Sequence, residues 1–169
     1  MKIIKSTLAL LILLSTAIHT KAQTSTVSTV NKVFSDYIDL KNALVADDNA
    51  TAQTKAKALN ADAAAVQTKD MTAKEQATWK NYADKLSFDS RHISESGSID
   101  HQREHFASLS KNVYAVLKAF PYNESPFYWQ YCPMKKANWL SDKKTIENPY
   151  YGKSMLDCGS VKETLKGSK

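Results

Sequence analysis

Apolar residues recur at helical spacing through residues 24–120. Val27, Val30, Val33, Phe34, Tyr37, Ile38, Leu40, Leu44 and Val45 form a stripe of period 3.6, which predicts a first amphipathic helix. Asp47-Asp48-Asn49 breaks the stripe and offers an N-cap to a second helix, Ala50 to Val66. That segment is built from Ala, Lys, Gln and Thr, with Leu59 and Val66 as its large aliphatics, and its alanines permit close helix approach. Thr72-Ala73-Lys74-Glu75 has the Thr-x-x-Glu form of a capping box and opens a third helix carrying Trp79, Tyr82, Ala83 and Leu86 and running on to Ile93. Ser94 to Ser98, with Gly97, is a break. A fourth helix starts near Ile99, shows Phe106, Leu109, Val113, Val116, Leu117 and Phe120 on one face, and ends at Pro121. No strand-type alternation competes in the first 120 residues. Four amphipathic helices with short connections predict an all-α, up-down four-helix bundle.

The pattern changes at Pro121. All four prolines (121, 126, 133, 149), five of the eight tyrosines and two of the three tryptophans lie from here on. This composition predicts a loop-rich segment, with a short helix near Ser141 to Glu147, packed across the bundle. It is too aromatic for a disordered tail.

The N-terminus reads as a targeting segment. Lys2 and Lys5 precede the mostly apolar run Leu8 to Leu14, and Ala22-Gln23 is the expected cleavage point, although Thr20 is unusual before it. The run is too short to span a bilayer, so it predicts a secretory signal peptide, and with no Cys near the junction a lipoprotein anchor is not expected. The expected organisation is a signal peptide at 1–22, the bundle at 23–120, a Cys/Met-rich segment at 121–161 and a tail at 162–169. The processed chain is expected in the periplasm, without membrane insertion. Taking Lys2, Lys5 and Lys21 from the formal charge of +6 leaves +3. So small a charge outside the cytoplasm argues against a nucleic-acid partner.

The candidate chemistry is sulfur. Both cysteines, and both methionines besides Met1 and Met71, sit in Tyr131-Cys132-Pro133-Met134 and Met155-Leu156-Asp157-Cys158-Gly159. Thiolate and thioether are the soft donors that favour Cu(I), while Zn(II) prefers thiolate and imidazole. Two turns shaped by Pro133 and Gly159 could face their sulfurs to one another. The plainer account is a Cys132–Cys158 disulfide beside two buried methionines, worth roughly 3 kcal/mol by loop closure. Spacing alone favours the disulfide. His101 and His105 are i, i+4 on the fourth helix, with His92 one loop earlier. His-Gln-Arg-Glu-His lacks the Glu directly after the first His that a zinc-protease helix needs. His101 reads as surface. His105, next to Phe106, is the better candidate to face the C-terminal segment. Trp129 and Trp139 flank the Cys-Pro-Met turn, where closing a small core is the stronger role and capping a soft cation the weaker. No Gly-rich phosphate loop, Ser-His-Asp arrangement or Cys-x-x-Cys motif appears, so the sequence gives no positive support for catalysis.

Several runs together carry a resemblance. They are Ala43-Leu44-Val45-Ala46-Asp47-Asp48, Gln102-Arg103-Glu104-His105-Phe106, Leu109-Ser110, Tyr131-Cys132-Pro133-Met134, Trp139-Leu140-Ser141, Asn148-Pro149-Tyr150-Tyr151-Gly152 and Met155-Leu156-Asp157-Cys158-Gly159. The chain closely resembles an uncharacterised bacterial periplasmic domain that occurs free-standing and fused to the C-terminal end of copper/silver efflux adaptor proteins. It departs between Met134 and Trp139, where relatives have a longer, Gly-containing stretch. The Cys-Pro-Met piece is also similar to the start of small heavy-metal-binding domains near other efflux adaptors, without their His-Pro continuation. The resemblance implies a setting rather than a mechanism, and it tips the balance from a bare disulfide to a metal site. The expectation is a periplasmic protein that binds Cu(I) or Ag(I) through Cys132, Met134, Met155 and Cys158, with His105 as a further group. It would buffer the metal or pass it to an efflux adaptor. The alternatives are Zn(II) or no metal, a disulfide-stapled interaction module of the envelope, and, more weakly, a thiol-redox protein.

Overall fold

A computed structural model describes residues 26–120 and 122–167. The expected signal peptide and cleavage point lie outside the described residues. Helix α1 runs over residues 26–45, followed by α2 (Asn49–Ala65), α3 (Ala73–Glu95) and α4 (Ile99–Ala119). The loops fall where the sequence breaks, and their chemistry is local. The Asp48 carboxylate accepts from Thr51 N–H and caps α2. Thr72 and Glu75 form the expected capping box at α3, and Ser98 caps α4. Each device satisfies backbone donors that a helix start leaves without partners.

The buried faces follow the periodicity. Val30, Val33, Phe34, Tyr37 and Leu44 of α1 meet Leu86 and Ile93 of α3 and Phe106, Leu109, Val113 and Val116 of α4 in one core. From α2 come Ala52, Ala56, Leu59 and Ala63, a mostly small stripe that lets its backbone approach closely. No helix among the described residues is long and apolar enough to cross a membrane.

The C-terminal part is not a loop-rich appendix. Strands β1 (Phe127–Cys132), β2 (Ala137–Ser141) and β3 (Ser160–Leu165) form an antiparallel sheet in the order β2-β1-β3. The molecule is therefore a four-helix bundle carrying a small sheet, and not purely all-α. The physical reason lies in Phe127-Tyr128-Trp129-Gln130-Tyr131-Cys132, whose aromatic residues favour a pleated, half-buried surface. Residues 160–165, expected to run from the end of the motif into a tail, pair along β1 from Ser160 opposite Tyr131 to Leu165 opposite Phe127. The expected helix near Ser141 to Glu147 is also absent. The buried Gln130 amide donates to the carbonyls of Lys143, Lys144 and Thr145, holding that segment as bends.

Aromatic and polar contacts fasten sheet to bundle. The Tyr37 hydroxyl lies 2.7 Å from Ser110 Oγ, accepts from Leu140 N–H at 3.1 Å, and its ring stacks on Phe106. Trp139 is fully buried and meets Tyr150 edge to face, so its role is core closure. Lys41, wholly buried on α1, reaches Asp142 at 3.8 Å and Glu147 at 3.6 Å, and burial lowers its pKa.

Candidate metal sites

The antiparallel topology gathers three chain ends at one end of the sheet: the C-terminus of β1, the start of β2 and the start of β3. Cys132 closes β1 and is completely buried. The tight turn of residues 133–136 follows, with Lys136 at φ +54. It brings Lys135 N–H to 3.4 Å from Cys132 Sγ, to which it donates.

Cys158 arrives from the other side. A 3-10 turn (Gly152–Met155) precedes it, and Cys158 N–H donates to the Met155 carbonyl. The Asn-Pro-Tyr-Tyr-Gly run shapes this approach. Asn148, fully buried, donates from its side chain to the Cys158 carbonyl at 2.6 Å, accepts from Tyr150 N–H at 2.8 Å, and donates its own N–H to Leu156. Gly152 sits at φ +53, where a Cβ would lie 2.0 Å from Asp47 Oδ1, so only glycine fits. Arg103 of α4 completes the frame. It donates to the carbonyls of Pro149 and Leu44 and to Asp47 Oδ1 at 2.6 Å, and Asp47 also accepts from Lys153 N–H.

The result is a pair of unbonded thiols close enough for one to influence the other. Partial burial, then the charge and hydrogen bond of the neighbouring Cys132 sulfur, push the Cys158 thiol above its ordinary range. Two thiolates held this close repel, and either a bound cation or oxidation to a disulfide relieves the repulsion. Met134 and Met155 differ from both sequence accounts. They are 62% and 39% exposed, so neither is a buried companion of the cysteines; both stand in the two segments flanking the thiols. Cys132 is buried, so the geometry lends nothing to a thiol-redox account that needs it exposed.

His105 does not face the C-terminal segment in its ring contacts. It lies across the α3–α4 interface, stacked on His92 at 4.5 Å between ring centroids and edge-on to His101 at 4.8 Å. The α3–α4 loop spans only residues 96–98, so the end of α3 folds straight back on the start of α4. One ligand nitrogen from each of His92, His101 and His105 falls within a 4.8 Å group. His105 Nδ1 is 3.1 Å from Asp89 Oδ1, and Asn112 donates to Asp89 Oδ2 at 3.4 Å. The sequence shows the His101/His105 spacing. The parts it did not yield are Asp89 and the convergence of His92, although Asp89 and His92 are i, i+3 and share a helix face.

A family model described as a protein of unknown function (DUF3347) matches residues 33–125. The chain belongs to that family. The DUF3347 match includes Asp89, His92, His101, His105 and Arg103 and stops before β1, so it does not extend to the cysteine-bearing sheet. No curated protein and no solved structure matches the chain.

Proposed function

We propose that this protein binds a soft monovalent metal ion, Cu(I) or Ag(I), at the paired sulfurs of Cys132 and Cys158, and buffers it or passes it to an efflux adaptor in the periplasm. The observation that carries this is that Cys132 and Cys158 are both unbonded and close enough to influence one another, beside the Lys135 N–H donor. Two thiolates suffice as anchors, because soft sulfur donors select Cu(I). Met134 and Met155 add neutral donors from the solvent side, where an incoming or departing metal meets them first. His105 is left out of this sulfur set, since its side chain meets Phe88, Asp89, His92 and His101. The N-terminal basic-then-apolar run supports export, and the resemblance to domains fused to copper/silver efflux adaptors supports the partner.

The same closeness of the thiols favours a second reading, a disulfide-stapled envelope module with no metal role. The experiment that separates them is anaerobic Cu(I) titration of the reduced protein against a competing chelator, beside the Cys132→Ser/Cys158→Ser double variant. The proposal expects the double variant to lose several orders of magnitude in affinity, and Met134→Leu to lose less. Equal affinity in wild type and double variant would show that the sulfurs are not the site.

A further inference from the structure

Three imidazoles lie together on the α3–α4 hairpin, and nothing in the sulfur chemistry uses them. His92 and His105 are half-buried and His101 is exposed, so the group opens to solvent on one side. Phe88, half exposed, packs against His92 at 4.4 Å and His105 at 5.7 Å between ring centroids, walling off another side.

Beneath them is Asp89, whose side chain is only 4% exposed. It meets His105 and the neutral Asn112 carboxamide. A buried carboxylate without a fixed cation beside it is costly unless positive charge arrives through the imidazole. A metal ion on the far nitrogen of His105 supplies that charge. The arrangement then has the carboxylate–histidine–metal form, in which the carboxylate fixes the tautomer and raises the basicity of the ligand. With Asp89 on Nδ1 of His105, Nε2 is the nitrogen left for the metal.

We infer that His92, His101 and His105 form a second metal site, for a borderline divalent cation of the Zn(II) or Cu(II) class, with Asp89 as its orienting carboxylate. Imidazole suits these ions, whereas the soft sulfurs suit Cu(I). Three nitrogen ligands leave a fourth position open to water or to a group from a partner. The site is built wholly from α3 and α4, so it stands or falls separately from the sulfur pair. Because its ligands bridge two helices, bound metal should also stabilise the hairpin by mass action.

The test removes the sulfurs first. The Cys132→Ser/Cys158→Ser protein is titrated with Zn(II) against a chromophoric chelator. It is then loaded with one equivalent of Cu(II) for electron paramagnetic resonance. The expected result is one Zn(II) per chain and a Cu(II) signal carrying coupling to several nitrogens. His92→Ala and His105→Ala should each abolish tight Zn(II) binding, and Asp89→Asn should weaken it by about 10–100-fold. His101→Gln changes an exposed position, so it tests the site without disturbing the fold, and should reduce the number of coupled nitrogens. Absence of one-to-one Zn(II) binding in the sulfur-free protein would overturn the inference, as would unchanged affinity in His92→Ala and His101→Gln. Loss of Cu(I) binding with retained Zn(II) binding supports this site whatever becomes of the sulfur proposal.

Discussion

The bundle and the sheet are held together by different physics. In α1 to α4 the burial is repetitive: apolar residues at helical spacing, capped ends and loops of a few residues. In the region after residue 126 each segment is fixed by particular polar contacts, such as Gln130 on three carbonyls and Asn148 on the Cys158 carbonyl. The first kind of order tolerates many sequences that keep volume and pattern. The second depends on single groups, because a buried donor or acceptor left without its partner loses its full solvation. Precise placement of the Cys132 and Cys158 sulfurs comes from the second kind.

Arg103 joins the two regions, and its removal should give the largest effect. Arg103→Met keeps the aliphatic stem but strips three hydrogen-bond contacts from Pro149, Leu44 and Asp47. The expected loss is about 3 kcal/mol, the lower part of the range for breaking a buried ion pair, because Asp47 is partly exposed. Cys158 should also become faster to alkylate, since residues 148–158 lose their tether. Chemical denaturation and timed alkylation check both. A stability change within about 0.5 kcal/mol, the size of an ordinary surface substitution, would mean that the two regions are joined by apolar packing alone.

A smaller effect sharpens the comparison from the bundle side. Asp36 on α1 is nearly buried, and burial, followed by its hydrogen bond with Asp62, raises its pKa from 3.8 to about 6. The folded state therefore holds this proton more tightly than the unfolded chain does. The stability it contributes is full below pH 3.8 and is lost as the pH rises through about 6. Asp36→Asn keeps a donor towards Asp62 and removes that loss. The variant should gain about 1 kcal/mol over wild type at neutral pH, a value reduced by the opposite shift of Asp62. Below pH 3.8 the two proteins should converge. Denaturation curves across this range check it, and parallel curves at every pH would contradict it.

How much of this was legible follows the same division. The helices announced themselves through period 3.6, through Asp47-Asp48-Asn49 before α2 and through the Thr72 capping box of α3, while the Ser98 cap of α4 came only with the structure. The sheet did not. β1 lies between Pro126 and Pro133, and its aromatic run shows no clean alternation. β3 is Ser-Val-Lys-Glu-Thr-Leu, mostly polar because its outward positions are exposed. The cysteines were legible as a pair by composition, but their closeness depends on the pairing of β3 with β1. His101 and His105 were legible by spacing on one helix. His92 and Asp89 join them only because a three-residue loop folds α3 back onto α4, a tertiary fact that no local pattern carries.

On the proposed reading the sulfur pair, and not its surroundings, holds the soft metal. Two thiols cannot be thiolate ligands and a disulfide at once. The decisive measurement is Cu(I) affinity of the protein before and after oxidation, with free thiols counted in both states and binding measured again after reduction. The reduced protein should bind tightly, lose most of its affinity on oxidation and recover it on reduction. Unchanged tight binding by the fully oxidised protein would contradict that reading.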